Sequence, residues 1–107
     1  MKRKSGNTNR PGKIEGQLKT FHEEISVLSR KKPDDVVNVF KLRFINQILA
    51  DANSILPDEY MPFTTFTTFD EDALPTNSDV VVVLSQYLKC FARQRVDTSG
   101  IWDELIS

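Results

Sequence analysis

One histidine, one cysteine and a short acidic run are the side chains in this chain best suited to chemistry. His22 stands beside Glu23 and Glu24, where an imidazole could serve as a base or a metal ligand. Cys90 follows Lys89, whose charge could favour a thiolate. Asp70, Glu71 and Asp72 are three consecutive carboxylates that could attract a cation. Each has a plainer reading. A metal centre needs clustered His, Cys and carboxylates, and here the single His and single Cys fall on different elements. His22 lies off the apolar stripe of its helix and reads as a surface histidine. Cys90 lies on the apolar side of its helix and reads as a small hydrophobe. The acidic run lacks the alternation of oxygen ligands and the central glycine of a calcium loop.

The remaining signatures are absent too. The four glycines, Gly6, Gly12, Gly16 and Gly100, form neither a phosphate-cradling loop nor a dinucleotide fingerprint. No Ser–His–Asp or Cys–His set can be assembled from spacing. The sequence therefore reads as a protein that is not an enzyme, with no cofactor and no metal.

Charge offers a second class of function. Residues 1–13 carry Lys2, Arg3, Lys4, Arg10 and Lys13 and no acid, leaving nine of the 14 basic residues against all 15 acidic ones in the rest. Lys41, Arg43, Lys89, Arg93 and Arg95 add cations on the helices. A basic arm on an acidic body could touch nucleic-acid phosphates. However, a pI near 5.8 is far from the basic signature of a nucleic-acid-binding domain, and the second helix is too apolar to read base edges.

These side chains must be positioned by a single domain, given 107 residues with 39% apolar and 27% charged. The basic N-terminus is not followed by an apolar h-region, so it does not read as a secretory signal. No apolar run suggests a membrane span, and the single cysteine fits a reducing, cytoplasmic setting.

Residues 1–12 read as a flexible basic arm and 13–107 as one helical domain. Ile14, Leu18, Phe21, Ile25 and Leu28 recur at 4, 3, 4, 3, the apolar stripe of a helix over 13–31. Pro33, Asp34 and Asp35 read as the first turn of a second helix over 33–56. Its apolar residues form two rows, Val37, Phe40, Phe44, Ile48, Ile55 and Ile45, Leu49, Ala52, Leu56. So wide an arc predicts the central helix, packed on two neighbours. Residues 57–77 hold Pro57, Pro62 and Pro75 and read as an ordered loop with a short turn over 70–74. Thr76 and Asp79 have capping-box spacing and open a third helix over 78–95, preferred to a strand despite the valine run at 80–83 because the 3–4 spacing continues through Phe91. Ser99 and Gly100 are expected to interrupt it before a separate C-terminal turn. The expectation is an all-α protein, a small three-helix bundle made of a helical hairpin plus a third helix.

Three helices of this size can hide about one stripe each. The apolar side chains exceed that, which points to a protein interface. The expected function is a non-catalytic protein–protein interaction module: a small subunit, adaptor or inhibitor, with a protein partner or a homo-oligomer. Its candidate contacts are Phe66 and the terminal face Ile101, Trp102, Leu105 and Ile106. Phe66 is singled out because an extended Phe63–Phe69 stretch would turn it away from its two neighbours. The alternative is a small nucleic-acid-associated regulator using Lys2, Arg3, Lys4, Arg10 and Lys13.

Overall fold

The computed structural model describes residues 10–106, with side chains through Asp97. It is an all-helical three-helix bundle. Helix α1 spans Arg10–Lys31. It begins three residues earlier than the apolar stripe implies, because Pro11 is tolerated in a first turn where its missing N–H would be unpaired. Arg30 and Lys31 close it, with their charge at the negative end of the dipole.

Helix α2 spans Val39–Ile55, not 33–56. Pro33 to Val37 do not form its first turn, because their backbone is engaged elsewhere. Val37 N–H donates to the Pro75 carbonyl at 2.9 Å, while the Asp35 and Pro33 carbonyls accept from Asn77 N–H at 2.8 Å and Ser78 N–H at 3.1 Å. Val36 pairs with Thr76 in an isolated antiparallel bridge, and Val37 is buried. This latch outweighs the local helix signal. Asn38 caps the helix instead, its Oδ1 accepting from the N–H of Phe40 at 2.7 Å and of Lys41 at 3.3 Å.

The loop carries one 3₁₀ turn, Asp58–Tyr60, rather than a helical turn at 70–74. There, Asp70 instead turns the chain by accepting Asp72 N–H on its own side chain at 2.8 Å. Helix α3 spans Asn77–Ile106. The expected capping box forms reciprocally: Asp79 N–H donates to Thr76 Oγ1 at 3.2 Å, and Thr76 N–H to Asp79 Oδ2 at 3.4 Å. The expected interruption at Ser99–Gly100 does not occur, and the backbone stays helical to Ile106. One glycine costs a helix only about 1 kcal/mol, and no proline stands nearby to stop it.

The core joins Ile14, Leu18 and Ile25 of α1 to Leu42, Ile45, Leu49 and Ala52 of α2 and to Val80, Leu84, Tyr87 and Phe91 of α3. The helix that packs on two neighbours is α1, most extensively on α3 and then on α2. This corrects the expectation that α2 is central. Its wide apolar arc does not meet two helices, because part of it, Phe40 and Phe44, faces outward. The aromatic loop bridges α2 and α3 on the other side.

Candidate functional site

Helix α2 presents three edges, and the use of each follows from its residues. The core edge is Leu42, Ile45, Leu49 and Ala52. The second edge is polar and holds the loop. Asn46 Nδ2 donates to the Phe69 carbonyl and Asn46 Oδ1 accepts from Phe69 N–H, both at 2.9 Å. Two turns further on, Asn53 Nδ2 donates to the Thr67 carbonyl at 2.9 Å. Arg43 pairs with Glu71 at 3.2 Å. Two asparagine amides thereby replace the backbone partners that an irregular loop lacks.

Fixed in this way, Phe63, Phe66 and Phe69 pack as a series. Their rings meet edge to face at 5.5 Å and 5.0 Å, and Phe63 continues to Tyr87 at 6.3 Å. All three are half-buried against the core. Phe66 therefore does not stand apart from its neighbours. Ile101, Trp102, Leu105 and Ile106 lie outside the residues whose side chains are described, as do Lys2, Arg3 and Lys4.

The chemistry-bearing residues take ordinary places. His22 is not a free surface residue: its Nε2 is 2.9 Å from Ser85 Oγ, joining α1 to α3 in a half-buried contact. This is a base–hydroxyl distance. Ser85 nevertheless sits mid-helix, where backbone N–H groups are spent on the helix and cannot form an oxyanion hole. Cys90 is half-buried and free, and burial pushes its thiol up despite the nearby Arg93. It remains protonated at neutral pH. Among the described residues no group of three His, Cys, Asp or Glu could hold a metal ion, and no helix is long and apolar enough to cross a membrane.

Several cations of the alternative reading are spent within the fold. Arg10 donates to Ser54 Oγ at 3.2 Å and reaches Asp51 at 4.0 Å. Lys41 pairs with Glu24 at 2.9 Å, Arg95 with Glu15, and Arg93 lies over the Tyr60 ring. Lys13 is exposed on α1.

Among the described residues the third edge of α2 has no partner. Phe40 and Phe44 meet edge to face at 5.0 Å, with 64% and 47% of their surfaces exposed. Phe44 lines a cleft of about 180 Å³ with Gln17, Phe21, Gln47, Ile48 and Asp51. A larger cleft of about 330 Å³ lies near the α1–α2 turn, lined by the apolar Leu28, Val36 and Val37 and by Lys31, Lys32 and Lys41. By sequence Phe40 and Phe44 share an apolar row with Val37 and Ile48, both of which are buried. The contrary signal was available: on a helical wheel Gln47 falls about 20° from Phe40, so the phenylalanines share the sector of a polar residue. Comparison with known protein families, with curated proteins and with solved structures finds no match to the chain.

Proposed function

We propose that the chain is a non-catalytic protein-interaction module, a small subunit or adaptor that binds its partner on the α1–α2 face. The observation that carries this reading is the Phe40–Phe44 pair, two large aromatic side chains exposed side by side on a helix whose other two edges are occupied. Val36 adds exposed apolar surface at the linker end of the α1–α2 face. Contiguous exposed apolar surface of this kind marks interaction sites, and aromatic residues are favoured anchors. The interface thus moves from Phe66, which serves the loop, to the opposite edge of α2.

The test is photo-crosslinking from position 40 in the native cell, with a photoreactive phenylalanine analogue in place of Phe40. A discrete protein adduct that Phe44→Ala suppresses is the expected result. Absence of any protein adduct, with a monomer by light scattering, removes this reading.

A further inference from the structure

We propose that the α1–α2 face is a groove for one amphipathic helix of a partner protein, with acidic residues at the end that lies over Lys31 and Lys32. The proposal rests on the reading of the chain as an interaction module and names the kind of partner.

Shape supplies the first argument. Both clefts lie between α1 and α2, and each has an apolar residue of α1 in its lining: Phe21 in the smaller, Leu28 in the larger. These residues are seven apart on one helix, two turns or about 10.5 Å of rise. An amphipathic helix laid along the groove presents its i and i+7 side chains at that same spacing. Phe44 lines the smaller cleft, and the exposed Phe40 ring meets it edge to face. The groove backbone belongs mostly to α1 and α2, whose interior N–H and C=O groups are already paired, so an added strand would find no ladder partner there.

Charge supplies the second. At mid-groove Glu24 faces Lys41, and at the far end Asp51 faces Arg10. Lys31 and Lys32, which line the larger cleft, are in no ion pair among the described residues, and Asp35 is the one acid lining that cleft. The groove is neutral along most of its length and positive at one end. That pattern selects a helix with a matching acidic end and fixes its direction. A second copy of the same face is a poorer match, because its groove acids Glu24 and Asp51 already face Lys41 and Arg10.

The experiment selects binders to the intact chain from a displayed library of helical peptides about 20 residues long. The expected winners carry apolar residues at i, i+3 or i+4, and i+7, with Asp or Glu gathered at one end. Their amide-shift footprint covers Phe21, Leu28, Phe40 and Phe44. The Lys31→Glu, Lys32→Glu double variant, checked for unchanged helicity, weakens them by roughly tenfold or more, and exchanging the peptide acids for lysines restores binding. Winners that are basic, extended or indifferent to the double variant overturn the proposal, as does a selection without winners. A concentration-dependent dimer lost on Phe44→Ala overturns it in favour of a second copy and leaves the interaction reading standing. The crosslinking result from position 40 judges that broader reading separately.

Discussion

Tyr87 and Asn53 meet across the core: the Tyr87 hydroxyl donates to Asn53 Oδ1 at 2.6 Å. The same amide donates from Nδ2 to the Thr67 carbonyl at 2.9 Å. A single side chain of α2 therefore ties both α3 and the aromatic loop, and its two polar ends are each matched to one partner. Buried polar groups are costly when unpaired, so the tie fixes where the loop sits as well as how firmly.

Replacing Asn53 by Ala leaves the Tyr87 hydroxyl and the Thr67 carbonyl without this partner. The expected cost is about 2 kcal/mol. Urea unfolding should show a lower midpoint at unchanged slope. A midpoint equal to that of the parent would mean that water replaces the amide without penalty.

Burial raises the Tyr87 phenol above its ordinary pKa. In the unfolded chain a tyrosine titrates near 10. The folded state thus holds the phenolic proton more tightly, and the associated stability is whole below about pH 10 and lost as pH rises through the higher folded value. Tyr60, raised chiefly by its hydrogen bond to Asp97, acts in the same direction. In a Tyr60→Phe background, Tyr87→Phe should flatten the loss of stability above about pH 10. Equal alkaline slopes with and without Tyr87 would contradict this.

Phe66→Ala and Phe44→Ala separate structural from surface phenylalanines. Phe66 packs between two rings and against the core. Its truncation should cost about 2 kcal/mol, less than the roughly 3–5 of a fully buried ring. Phe44 is about half exposed, and its truncation should change stability by no more than about 0.5 kcal/mol. Paired urea titrations give both numbers, and a reversed order would place the free surface on the loop.

Gly16 lies inside α1, and a Cβ added there meets nothing within 4 Å. Gly16→Ala should therefore stabilise the protein by about 0.8 kcal/mol through helix propensity alone. Thermal unfolding should report a rise of about 4 °C. A fall in midpoint would reveal a contact at this position that the fold does not display.

The helices were legible wherever local pattern and tertiary demand agree. The stripe of α1 placed Ile14, Leu18 and Ile25 inside, and the spacing of Thr76 and Asp79 named a cap that forms. Proline and two acids after Lys32 carry the same local signal for a helix start as a true one. What defeats it is the pairing of Val37 with Pro75 and of Asp35 with Asn77, partners about 40 residues away. The role of α2 misled for a related reason. Apolar breadth does not distinguish a helix with two neighbours from a helix with one neighbour and an open edge, and Phe40 and Phe44 belong to the open edge. Asn46 and Asn53 read as ordinary polar residues because their partners are backbone groups of a loop with no periodicity. His22 read as exposed because the serine that meets it lies 63 residues away.

The central position of α1 bears on how quickly the bundle can assemble. Its closest companion is the last helix in the chain, as the Glu15–Arg95 pair shows across 80 residues. The α1–α2 hairpin can form early from nearby segments, but the core closes only when the far helix arrives and the latch at Val37–Pro75 engages. Joining segments so distant in sequence means closing a long loop before the contacts repay it. Folding should therefore be slow for an all-helical domain, and its rate-limiting step should be the docking of α3 on α1.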